Sequence, residues 1–194
     1  MERCRPSDNE IMTDSQAVTD FMKKFWGKKY NVSDCPLTPE KLKIEYNNCR
    51  IPIFIPPGLF LARLPVMFPE IRFGHKTPVE SVKSDYNSAG WFLVENTLEP
   101  PYLNLEEHEF KGAIAGTGKR GQSLLTYAVW GVIYKQMFRN YPDSGNTTSV
   151  LTGSKIEGAI ITAAFDSQGY LITSVAGKLS RSPTSGFRTE EVIS

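Results

Sequence analysis

Residues 121–141 read GQSLLTYAVWGVIYKQMFRNY, and this stretch decides the fold. Leu124, Leu125, Tyr127, Val129, Trp130, Val132, Ile133, Met137 and Phe138 fall at every angle around a helical axis. A helix apolar on all sides has no face to offer water and must be buried. Gly131, in its middle, costs about 1 kcal/mol relative to alanine, which points to the close approach of another backbone. The pattern therefore predicts a helix over 121–141 at the centre of the fold.

Working outward, the C-terminal third reads as sheet. Ala159–Phe165 and Tyr170–Val175 flank Asp166-Ser167-Gln168-Gly169, a four-residue turn closed by glycine, which is a hairpin signal. Ser149–Thr152 reads as a preceding strand. On the other side, Trp91 to Val94 make a continuous apolar run within Gly90–Asn96, as in a strand buried on both faces. Ile51, Ile53 and Ile55 alternate, but Pro52 lacks the ladder donor, so that strand belongs at a sheet edge. Pro65, Pro69 and Pro78 exclude a long helix from residues 59–79. Residues 99–109, with Pro100-Pro101, read as a loop. Residues 36–50 send two signals: Thr38-Pro39-Glu40 reads as a helix start, and the alternation of Leu42, Ile44 and Tyr46 reads as a strand. The balance there is a short turn followed by a strand.

Near the N-terminus, Ala17, Val18, Phe21, Met22, Phe25 and Trp26 recur at helical spacing. Thr13 and Gln16 suit a capping box, and Gly27 suits the stop. The Phe21/Phe25 face is expected to cover apolar surface, on this chain or on a second copy. The elements together predict an α+β fold: a mostly antiparallel sheet packed around a buried central helix, in a single domain. Its expected bounds are residues 13–176, with a flexible arm over 1–12 and a basic, mobile tail over 177–194.

Bulk properties exclude several classes. The chain has 194 residues, 40% hydrophobic and 22% charged, ordinary for a globular protein and long enough to bury a core without staples. Its longest apolar runs, Tyr127–Tyr134 and Gly158–Phe165, fall well short of the roughly 20 residues that span a bilayer. No membrane insertion is expected. Without an apolar leader at the N-terminus, the two sequons at Asn31 and Asn146 read as chance. The cysteines at 4, 35 and 49 are odd in number and form no CxxC pair, which suits a reducing, cytoplasmic setting and argues against a cysteine-based zinc site. Net charge is +1 but unevenly spread. Residues 110–142 carry Lys111, Lys119, Arg120, Lys135 and Arg139 with no acid, and residues 167–189 carry Lys178, Arg181 and Arg188 with none. Such windows can create a local positive field.

One stretch carries chemistry. Gly116, Thr117, Gly118, Lys119, Arg120 and Gly121 join a glycine-rich basic loop to the start of the central helix, where free N–H groups and the dipole suit an anion. The plain alternative is a surface turn whose glycines serve the bend. A P-loop is excluded: Gly112 and Gly118 are wrongly spaced, and Arg120 stands where serine or threonine would bind magnesium. Elsewhere, Glu106-Glu107-His108-Glu109 reads as a solvated acidic loop, with His75 too remote to help build a metal site. No GxSxG elbow occurs. A carboxylate pair could be drawn from Glu80, Asp85 and Glu95, but nothing singles any out. Trp130, Tyr134, Lys135 and Arg139 could stack bases if exposed, though an all-apolar helix favours core packing. None of the motif-bearing families is matched over more than a few residues.

The sequence thus points first to a non-catalytic binding or assembly protein, with 116–121 as the contact for an anionic partner; it names no partner, and self-association and nucleic acid are the two kinds open to it. The alternative is a small enzyme holding a phosphorylated or anionic substrate in the same loop. Neither a metal nor a cofactor is implied.

Overall fold

The computed structural model describes residues 9–69, 71–73, 89–143, 149–166, 168–176 and 182–194. In chain order the helices are α1 (Asn9–Met12), α2 (Ser15–Trp26), α3 (Pro39–Asn47), α4 (Leu64–Met67), α5 (Glu107–Ile114) and α6 (Leu124–Phe138). The strands are β1 (Arg50–Ile55), β2 (Arg72–Phe73), β3 (Gly90–Glu95), β4 (Tyr102–Leu103), β5 (Arg120–Gly121), β6 (Ser149–Ile156), β7 (Ala159–Phe165), β8 (Tyr170–Val175), β9 (Ser185–Phe187) and β10 (Thr189–Ile193). The fold is α+β, as expected. Two compact units are distinguishable: Met1–Leu59 with Ser88–Thr97 and Glu191–Ser194, and Phe60–Asn87 with Leu98–Glu190.

In the first unit, α2 is capped by Asp14, whose Oδ1 accepts from the Ala17 amide at 2.8 Å, one residue later than the box expected at Thr13. Its buried stripe is Val18, Met22 and Trp26, four residues apart. Phe21 and Phe25 lie at the margin of that stripe, half-buried, their rings stacked at 6.4 Å. Over 36–50 the helix start outweighs the alternation. Thr38 Oγ1 accepts from the Lys41 amide, Pro39 begins α3, and Leu42 and Tyr46 are buried while Ile44 is 54% exposed. Leu42 and Tyr46 satisfy both a period of two and a spacing of four, and only Ile44 distinguishes the two. The strand begins at Arg50. It pairs antiparallel with β3 from Arg50↔Glu95 to Ile55↔Gly90 and stands at the end of the order β1-β3-β10, the edge position Pro52 demands. Cys49 is disulfide-bonded and Cys35 is a free thiol. A disulfide suits an oxidising rather than a reducing setting, so the thiol-based case for a cytoplasmic protein falls. Among the described residues no helix is long and apolar enough to cross a membrane.

In the second unit the sheet runs β2-β8-β7-β6-β9-β4. The β6–β7, β7–β8 and β4–β9 pairings are antiparallel, and β2–β8 and β6–β9 are parallel. The hairpin between β7 and β8 closes as expected: Asp166 Oδ1 accepts from the amides of Gln168 and Tyr170, and Gly169 sits at φ +85°. The described parts of the two ends expected to be loose are built in. Residues 9–12 are helical with Met12 buried, and the expected tail supplies β9 and β10, with Phe187, Arg188, Thr189 and Glu190 all buried. Serine, glycine and basic residues disguise those strands because their partners lie far away in sequence.

Helix α6 packs on β6 and β7 and is the core of this unit. Tyr127, Trp130 and Ile133 are fully buried, while Leu125 and Met137, expected to be so, are half-buried. Gly131 faces a ring rather than a backbone. A Cβ there would stand 2.5 Å from Cζ of Phe165, a side chain itself 1% exposed and stacked on Tyr141 at 4.8 Å. The Phe165 ring has no room to retreat. Gly131→Ala should therefore lower stability by about 1–3 kcal/mol through overpacking, although alanine improves helix propensity by about 1 kcal/mol. Urea unfolding reads this as a lower midpoint at unchanged m; a raised midpoint would mean that Phe165 can move. Ile133→Ala should cost about 2–5 kcal/mol in the same assay.

Candidate functional site

The glycine-rich loop is held between two helices. Before it stands α5, whose first turn lies within residues 99–109, expected to be loop. The Glu106 amide donates to Glu109 Oε2 at 2.9 Å, a carboxylate reaching back over the first turn. Phe110 and Ile114, four residues apart, face inward, and Phe110 stacks on Phe187 at 4.2 Å. His108 points to solvent, 78% exposed, with Nδ1 3.4 Å from Glu106. The acidic run is thus solvated, but as the first turn of a helix.

The loop itself is a turn. Gly116 and Gly118 sit at φ +74° and +76°, a region costly for residues with a Cβ. The Thr117 amide and hydroxyl both donate to Ile114 O, at 3.1 and 2.7 Å, and the Lys119 amide donates to Thr117 Oγ1. The amides of Thr117 and Lys119 are thus engaged within the turn, and the Lys119 side chain is the charge the loop can offer an anion.

Arg120 and Gly121 form β5, paired with Glu190 and Thr189 of β10. Gly121 lets two backbones meet, since a Cβ there would lie 3.4 Å from Gly153 Cα. At the start of α6 the amides of Ser123, Leu124 and Thr126 already have partners. Ser123 Oγ accepts from the Thr126 amide at 3.1 Å, and the Leu124 amide donates to Ser154 Oγ at 2.9 Å. The Ser123 amide donates to Glu190 Oε2 at 3.1 Å, and Arg120 Nε donates to Glu190 Oε1 at 2.9 Å. The anion at this helix start is the chain's own carboxylate, 0% exposed. Burial pushes the Glu190 carboxyl above its ordinary range, against the pull of Arg120 and its other donors.

Lys119 and Arg120 instead border a hollow of about 270 Å³. Phe110, Ile114, Ile160 and Phe187 line it on the apolar side, and Lys111 and Lys155 on the polar side. A neighbouring hollow of about 520 Å³, reaching His108 and the β6–β7 turn, shares Glu107, Lys111 and Ile160 with it. Glu107 Oε1 lies 2.5 Å from Lys111 Nζ and 3.8 Å from Lys155 Nζ. The Lys111 bond holds the Glu107 carboxyl below its ordinary range. Lys119 has no ion-pair partner among the described residues. Lys155 and Glu107 could not be found from sequence, because no spacing links them to the loop.

The remaining sequence candidates do not converge on this hollow. Trp130 and Tyr134 are buried in α6 and present no stacking surface. Glu95 is buried in β3. His75, Glu80 and Asp85 lie outside the described residues, as do Cys4, Asn146, Lys178 and Arg181. Burial pushes the half-buried Cys35 thiol up, which disfavours the reactive thiolate. Among the described residues no three His, Cys, Asp or Glu side chains gather as metal ligands would. No protein-family model matches the chain, and no curated protein or solved structure is significantly similar to it.

The buried carboxylate has a pH signature. Because its carboxyl is raised in the fold, the folded chain takes up this proton more readily than the unfolded chain as pH falls. Wild-type stability relative to Glu190→Gln should therefore rise from neutral to mildly acidic pH. Urea unfolding of both proteins across that range checks the sign, and a gap that is constant or moves the other way contradicts it.

Proposed function

We propose that this protein binds an anionic ligand, without acting on it, in the hollow beside residues 116–121. One observation carries the reading: lysines from three elements (Lys111 of α5, Lys119 of the loop and Lys155 of β6) border a concave site whose apolar wall keeps the dielectric low. Of the three, Lys119 has no counter-ion among the described residues. Arg120 has a different part, since its guanidinium neutralises buried Glu190 and holds β5 against β10. The glycines at 116 and 118 shape the turn that presents Lys119.

The test follows from this division of roles. Arg120→Ala would leave a buried carboxylate without its cation, so stability and binding would change together. Lys119→Ala removes a half-buried cation that no internal acid needs. A charge-assisted contact is worth about 1.5–3 kcal/mol, so Lys119→Ala should weaken binding of a responsive phosphometabolite about tenfold or more while the unfolding midpoint stays in place. Calorimetric titration against a panel of phosphorylated metabolites and oligonucleotides reads this. A wild-type protein that binds none of them, or a variant that binds equally well, would overturn the proposal.

A further inference from the structure

We infer that the ligand is a small phosphate monoester and that Glu107 stands in for its phosphate, an internal carboxylate that the ligand displaces. The inference rests on the binding reading above and adds the chemical class and the competitor. Lys111 and Lys155 reach the hollow from different elements, yet both face the same oxygen, Glu107 Oε1, at 2.5 and 3.8 Å. Two cations converging on one oxygen is how a phosphate oxygen is held. Glu107 supplies one negative charge where two lysines point, and Lys119 adds a third positive charge on the same rim. Once Glu107 is displaced, three lysines face the ligand, while Arg120 and Glu190 cancel one another. A phosphate monoester carries roughly −1.5 to −2 at neutral pH, so it answers more of that charge than Glu107 does. A simple carboxylate would only repeat the single charge that Glu107 already supplies.

The shape of the site argues against a nucleic-acid strand. Strand-binding surfaces offer aromatic faces on which successive bases stack, along an open basic groove. Here Phe110 and Phe187 are 4% and 2% exposed, stacked on each other rather than on a guest. The cations are gathered around a hollow of about 270 Å³, a size for one small ligand. Nor does Glu107 have a core role that would fix it in place. It lies in the exposed first turn of α5, its side chain is 32% exposed, and it can swing away without leaving a buried charge.

The decisive variant removes the competitor. Phenyl phosphate and inorganic phosphate are titrated into the full-length chain and into Glu107→Gln, Lys155→Ala and, as a charge control, Lys135→Ala at the far end of α6. Removing the competitor spares the ligand the cost of breaking a largely exposed ion pair, which is worth up to about fivefold in affinity. Glu107→Gln should therefore bind phenyl phosphate more tightly, by up to about fivefold, Lys155→Ala should bind it more weakly, and Lys135→Ala should match wild type. Circular dichroism and the unfolding midpoint confirm that each variant is folded. Unchanged or weaker phosphate binding by Glu107→Gln overturns the stand-in role. If Lys119→Ala weakens binding in that case, the anion-binding reading survives without this inference. A single-stranded oligonucleotide that binds more tightly than phenyl phosphate, with steep salt dependence, overturns the ligand class. No phosphate binding by either wild type or Glu107→Gln overturns this inference, and the anion-binding reading falls with it only when the phosphometabolites and oligonucleotides are unbound as well.

Discussion

The Arg188 guanidinium is completely enclosed, and the second unit is arranged to make that tolerable. Its Nε and Nη2 donate to the two oxygens of Asp143 at 3.0 and 2.8 Å, Nη2 also donates to Leu98 O at 3.2 Å, and the group lies over Trp130 at 4.4 Å. Asp143 in turn accepts from the Tyr127 hydroxyl at 3.0 Å. Burial raises the carboxyl of Asp143 and the phenol of Tyr127 together, while Arg188 pulls both back. Breaking such a pair on one side leaves an uncompensated buried charge, typically about 3–5 kcal/mol. One face of α6, carrying Tyr127 and Trp130 three residues apart, the turn after it and the link between β9 and β10 are thereby committed to one geometry. The link cannot shift without exposing Asp143, and α6 cannot rotate without uncovering the cation.

That commitment reaches the hollow beside residues 116–121. Arg188, Thr189 and Glu190 are consecutive, so fixing Arg188 also fixes where the Glu190 carboxylate meets Arg120 and the start of α6. The helix dipole and the first free amides are spent on an internal partner. On the proposed reading, an external anion would meet the lysine side chains around the rim rather than the amides at the start of α6. Recognition of that kind is tunable by charge and sensitive to salt, in contrast to a phosphate loop whose geometry is rigid.

What was legible in the sequence follows from where each signal is encoded. The core helix could be read because its evidence is local: apolar residues at every angle admit one explanation. The hairpin of β7 and β8 could be read because Asp166 and Gly169 carry the turn within four residues. Helix α3 was misjudged because Leu42 and Tyr46 satisfy both periods at once. Helix α5 was missed because only Phe110 and Ile114 mark its buried face, in a run otherwise charged or small. Strands β9 and β10 were missed because Arg188 and Glu190 look like surface residues until Asp143 and Arg120 are placed beside them. The site divides the same way. Lys119 and Arg120 announced themselves by composition, whereas Lys155 joins them only through the sheet, and Glu107 only through α5.

In the first unit, β1 shows how a ladder is closed off. Pro52 has no amide hydrogen to offer, and the Phe54 carbonyl is already taken by the Trp26 indole at 2.9 Å. Every residue of the strand is buried. Edge strands left open recruit other chains, end to end, into fibres. This one is sealed by a missing donor, an occupied acceptor and a covering of side chains. Strand exchange through β1 is closed to this protein, so at high concentration that margin will not seed polymerisation.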